Sequence, residues 1–127
     1  MKSNYKVAIA LVAGVAIGGS IIQGLHAQAT PPAYFVADIS AVTDPEALKA
    51  AGGQSQTAVT AFGGKTIVRT ENITPITGTA PKRFVVIAFD SLAKAQAWQA
   101  SAAQKEAQAA INKAAPQRNF FVEGMPQ

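Results

Sequence analysis

The chain has 127 residues, no cysteine, one histidine and a formal net charge of +4. The missing cysteines exclude a disulfide scaffold and a thiolate nucleophile. Zinc sites and histidine-based triads lose their material if His26 is removed with the leader described next.

Residues 1–29 read as a secretory leader. Lys2 and Lys6 are its positive start, residues 7–22 are uncharged, and Ala27-Gln28-Ala29 is a small-x-small cleavage pattern. Cleavage after Ala29 leaves a single domain, residues 30–127, with nine basic and seven acidic residues. The expected location is periplasmic or secreted. The uncharged tract is shorter than the ~20 residues needed to span a bilayer, and no membrane span is expected after cleavage. Retention as an uncleaved anchor is the alternative. The basic residues form no run that would track a phosphate backbone, so no nucleic-acid partner is expected. The scattered acids make no calcium loop.

Thr30-Pro31-Pro32 reads as an extended lead-in. Tyr34–Ala41 alternates aromatic and β-branched residues and predicts a strand. Thr43 or Asp44 caps a helix with Pro45 in its first turn, and Thr43 with Glu46 has capping-box spacing. This helix is expected to break at Gly52-Gly53, resume toward Phe62 and end at Gly63-Gly64. The two end glycines are turn residues, because a phosphate loop would follow a strand and precede Gly-Lys-Ser/Thr.

Lys65–Thr70 predicts a second strand, residues 72–81 a turn region, and Lys82–Phe89 a third strand. Asn72-Ile73-Thr74 matches a glycosylation sequon, read as a chance match beside Pro75. Asp90-Ser91 starts a helix with Leu92, Ala95 and Trp98 on one face. Ser101 and Gln104 have capping-box spacing, so the helix is expected to restart there and run to about Ala114. Gln96, Gln99, Gln104 and Gln108 read as part of a solvated outer face. Asn119–Glu123 is the last strand.

The order β-α-β-β-α-β is the ferredoxin-like split arrangement, an α+β fold with a four-stranded antiparallel sheet and helices on one face. Phe35, Ala37, Ile39, Val85, Ile87 and Phe89 are placed under the helices. Tyr34, Val36, Asp38, Phe84, Val86 and Ala88 fall on the opposite face. A sheet with one wet face should alternate cleanly, and this one is apolar on both sides. A second copy is the simplest cover, so a homodimer is expected.

Ala33–Ala37, Val42–Glu46, Phe62–Lys65 and Arg83–Ile87 occur in that order. Phe89-Asp90-Ser91, Ala97-Trp98 and Phe121–Gly124 follow. Together they resemble the bacterial family catalogued as domain of unknown function 1330, over about residues 33 to 124. The resemblance implies a ferredoxin-like domain that pairs face to face into a dimeric α+β barrel, in a superfamily with small monooxygenases and isomerases. Relatives often carry glutamate where this chain has Ala88, and tyrosine where it has Gln99.

Four residues are candidate ligand contacts: Tyr34, Asp38, Arg69 and Arg83. Tyr34 offers a hydroxyl, Asp38 a carboxylate that desolvation could turn into a base, and the arginines can pair bidentately with an anion. Each also has a plainer reading: packing for Tyr34, a solvated rim for Asp38, and strand-end charges for the arginines. Trp98 reads as core. No metal and no cofactor is expected. The leading expectation is a small-molecule-binding barrel for an apolar or aromatic ligand, with Tyr34, Asp38 and Arg83 at the ends of the open sheet face. A cofactor-independent monooxygenase or isomerase, and a packing module without ligand, are the alternatives.

Overall fold

The structure is a computed structural model that describes residues 30–126. The expected leader and its cleavage site lie outside the described residues. The compact unit spans Pro31–Met125. Its elements are β1 (Ala33–Ile39), α1 (Pro45–Ala61), β2 (Lys65–Thr70), β3 (Arg83–Phe89), α2 (Leu92–Ala100), α3 (Ala102–Ala114) and β4 (Gln117–Glu123). The sheet order is β2-β3-β1-β4, and every neighbouring pair is antiparallel. This is the ferredoxin-like arrangement, in which each crossover helix spans the strand lying between the two it connects.

Register decides which residues meet. Phe35 lies opposite Ile87 on one side and Phe121 on the other, while Val36 lies between Val86 and Phe120. Side chains opposite one another share a face. The Phe35 row is therefore the helix-facing one, and its members Ala33, Phe35, Ala37, Ile39, Ile87 and Phe89 are all buried. Trp98 is fully buried from the helix side and sits edge-on to Phe35 at 5.0 Å between ring centroids. Its other ring neighbour is Phe89 at 5.3 Å. Three rings from β1, β3 and α2 thus anchor one half of the core.

Helix α1 is continuous, where a break at Gly52-Gly53 was expected. Glycine costs about 1 kcal/mol at a helix interior, but packing of the amphipathic face supplies most helix stability in proteins. Ala51, Ser55, Ala58 and Val59 carry that buried face straight through the pair. At the start, the Asp44 carboxylate accepts from the Ala47 N–H at 3.1 Å. Thr43 does not form the expected capping box. Its hydroxyl instead donates to the Ala114 carbonyl at 2.9 Å, tying the start of α1 to the end of α3. The helix closes through Gly63 at φ 75°, where the absent Cβ permits a left-handed turn.

The expected restart at Ser101 is present. The Ser101 hydroxyl donates to the Trp98 carbonyl at 2.7 Å and accepts from the Gln104 N–H at 3.3 Å, ending α2 and beginning α3. One side chain satisfies both termini. Among the described residues no helix is long and apolar enough to cross a membrane.

Candidate functional site

A cavity of about 80 Å³ lies between the sheet and the helices. Its floor is Phe35, Ala37, Val85 and Ile87, and its roof comes from Leu48 and Val59 on α1 with Ile111 on α3. It meets a wider groove of about 460 Å³ along α1, and Leu48, Gly52, Gln56, Arg69 and Arg83 line both.

Polar groups enter this apolar space in an ordered way. The Ser55 hydroxyl donates to Gln104 Oε1 at 2.8 Å, and the Gln104 amide donates to Gln108 Oε1 at 3.2 Å. Gln108 in turn donates to Asn112 Oδ1 at 2.9 Å. Gln104 is 1% exposed, so it belongs to the interior and not to the solvated face expected for it. The physical reason is its partner: Ser55 on the facing helix satisfies the amide oxygen, which removes the main cost of burial. Gln108 is buried too, its oxygen satisfied by the Gln104 amide and its own amide by Asn112. The signal in the sequence is a run of amides at 104, 108 and 112, spaced one helical turn apart.

The structure divides the four candidate residues between two faces. Tyr34 lies opposite Ala88, and Asp38 opposite Phe84, so both are on the sheet face turned away from the helices. Arg83 lies opposite Ile39, which puts it on the helix-facing side and not beside Asp38 as expected. Parity along β3 requires this, since Arg83 is two residues from Val85.

Arg69 reaches the same side through an irregularity. Thr66 lies opposite Ile87, Val68 opposite Val86 and Arg69 opposite Val85, with a register shift between Thr66 and Val68. The extra residue, Ile67, is 51% exposed. Without the bulge Arg69 would alternate onto the open face; with it, Arg69 and Arg83 sit on one face as diagonal neighbours across β2 and β3. Strict alternation could not reveal that pairing.

The two guanidiniums are held differently. Arg69 donates to Gln56 Oε1 at 3.0 Å, and the same oxygen accepts from the Thr66 hydroxyl at 2.8 Å. Helix α1 therefore fixes Arg69 over the neck of the cavity. Arg83 is half-buried and has no hydrogen-bond or ion-pair partner among the described residues. Glu71 lines the outer groove and also makes no ion pair among the described residues.

On the open face, Asp38 accepts from Arg118 at 2.6 Å, a partner 80 residues away that no local pattern marks. That face also carries Val36, Phe84, Val86, Ala88, Phe120 and Val122, with Lys65, Val68 and Thr70 from β2, by register. Phe120 and Val122 are 46% and 42% exposed. Among the described residues no group of three or more His, Cys, Asp or Glu gathers in a way that could hold a metal ion.

The fold and cavity define a ferredoxin-like α+β domain with an apolar chamber between its layers and two arginines at the mouth. The chain belongs to the family described as domain of unknown function (DUF1330), whose model matches residues 32–125. No curated protein matches it. Among solved structures it is similar to a protein of unknown function from Rhodopseudomonas palustris, at 14% identity and a TM-score of 0.62 over 85% of this chain and 94% of that one. It is also similar to SnoaB, a cofactor-independent oxygenase from Streptomyces nogalater. That match has 10% identity and a TM-score of 0.54, over 76% of this chain and 96% of the other. At these identities the likeness is one of fold.

Proposed function

We propose that the protein is an exported, homodimeric small-molecule-binding α+β barrel whose ligand lies between the helices and the sheet. The observation that carries this is the cavity itself: an apolar chamber continuous with a groove, with a buried Ser55–Gln104 pair inside and Arg69 and Arg83 at its neck. Binding sites are typically concave and mostly apolar, with a few convergent polar groups. Arg69 and Arg83 contact the ligand in this reading, and Gln104 and Ser55 orient it. Tyr34 and Asp38 belong to the opposite face, which a second copy covers.

Calorimetric titration of the purified chain with octanol as a neutral apolar probe tests the chamber. Saturable binding that weakens in Ile111→Trp, a substitution that fills the half-buried roof, supports the reading. Absence of saturable binding of both octanol and the charged octanoate, or binding indifferent to the filled chamber, removes it. Export rests on Lys2, Lys6 and Ala27-Gln28-Ala29. The mass of the secreted form should correspond to residues 30–127, and an unprocessed chain in the cytoplasm would contradict it.

A second reading is cofactor-independent oxidation of the bound molecule, favoured by the fold shared with SnoaB. Oxygen uptake with a hydroquinone as substrate, abolished in Arg83→Gln, would support it. No uptake by the native chain above the uncatalysed rate would remove it.

A further inference from the structure

We infer that the molecule taken into the helix–sheet cavity is a carboxylate with an apolar body, its carboxylate held by Arg83 and Arg69 and its body in the chamber. This rests on the small-molecule-binding reading of the same cavity and narrows it to a chemical class.

Two cations share one small mouth. Arg69 and Arg83 lie on one sheet face because of the bulge at Ile67, and both line the cavity and the groove. Bulges recur next to functional sites because they re-aim a side chain, and here the re-aimed side chain is a guanidinium. Neighbouring like charges repel, and a half-buried cation without a counter-charge is unfavourable. Neither arginine has a carboxylate partner among the described residues. An incoming anion supplies that missing charge.

The two side chains have complementary roles. Arg69 is fixed by Gln56, which is itself tied to Thr66. Part of its ordering entropy is therefore lost before any ligand arrives. Arg83 keeps its donors uncommitted. A guanidinium fork matches a planar carboxylate in two parallel hydrogen bonds. Beyond the arginines the walls are Phe35, Val59, Val85 and Ile87, which take an aliphatic or aromatic body and offer nothing to a second charge. A bare inorganic anion would leave that apolar surface unused. Deep in the chamber Gln104 spends one of its two amide hydrogens on Gln108, and the other remains for a carbonyl or hydroxyl on the body.

The test is calorimetric titration of the purified chain with octanoate, octanol and inorganic phosphate at low salt. Octanoate is expected to bind about tenfold or more tightly than octanol, the size expected of a charge-assisted contact. Arg83→Gln should bring octanoate down to the affinity of octanol. Arg83→Lys should fall between, because the charge stays and the fork is lost. Equal binding of octanoate and octanol by the native chain overturns the carboxylate class while the chamber stands as a binding site. Phosphate binding as tightly as octanoate also overturns it. So does an octanoate preference that survives in both Arg83→Gln and Arg69→Gln. If neither octanoate nor octanol binds, the underlying reading fails and this one falls with it.

Discussion

Asp38 and Arg118 face each other across the β1–β4 ladder and form an ion pair of 2.6 Å on the sheet face turned away from the helices. The Asp38 side chain is 18% exposed and that of Arg118 82%. The Asp38 carboxylate is already engaged by a guanidinium, and the whole sheet separates it from the cavity. Asp38→Asn should therefore leave octanoate affinity unchanged within about twofold and cost no more than about 1 kcal/mol of stability, because the Arg118 end of the pair is solvated and the amide keeps the shape of the carboxylate. Titration and urea unfolding of the variant measure both. A loss of binding with the fold intact would return Asp38 to the site.

Ser55 is the residue that makes Gln104 tolerable in the interior. Ser55→Ala removes the donor to Gln104 Oε1 and leaves a buried acceptor unpaired. The expected cost is about 1–3 kcal/mol. Replacing both partners, with Ser55→Ala and Gln104→Leu together, should recover part of that loss: the stranded Gln104 oxygen is gone, and Gln108 Oε1, which loses its Gln104 donor, belongs to a residue 8% exposed against 1% for Gln104. Chemical denaturation of the single and double variants decides it, and a double variant weaker than Ser55→Ala would contradict the account.

Glycines 53 and 64 should respond in opposite directions. A Cβ at Gly53 meets nothing within 4 Å, and the residue lies inside α1. Gly53→Ala should therefore raise stability by about 0.5–1 kcal/mol. A Cβ at Gly64 would lie 2.6 Å from a ring atom of Phe89 and 2.9 Å from Val59. That ring is in the packed core, so Gly64→Ala should cost about 1–3 kcal/mol. Thermal unfolding of the two variants gives the signs directly.

The open sheet face carries the dimer proposal. Phe120 lies opposite Val36 near the centre of that face and is 46% exposed. Phe120→Lys puts a charge where two sheets would meet. Light scattering should report two copies for the native chain and one for the variant at micromolar concentration. A native chain that remains single would leave the apolar face uncovered and contradict the pairing.

Much of the architecture was legible in the sequence. The strands of β1 and β3 announce themselves by β-branched and aromatic residues, and Ser101 marks the junction of α2 and α3 by its cap spacing. Two things were not legible. The bulge at Ile67 reverses which way Arg69 points, and a local pattern of period two contains no mark of one extra residue. The burial of Gln104 depends on Ser55, which is 49 residues away in sequence and adjacent only after α1 and α3 pack. Continuity through Gly52-Gly53 is of the same kind, because tertiary packing outweighs the local glycine penalty. The sequence marks Arg69 and Arg83 as charges able to hold an anion, but nothing local shows that they share the helix-facing side of the sheet.

Amide and methyl chemical-shift mapping of the labelled chain with octanoate locates the ligand relative to the sheet. A ligand between helices and sheet moves Val59, Ile87, Val85 and Gln104 and leaves Val36, Val86, Phe120 and Val122 in place. Shifts gathered on the second group instead would put the ligand on the open sheet face and overturn the helix–sheet site.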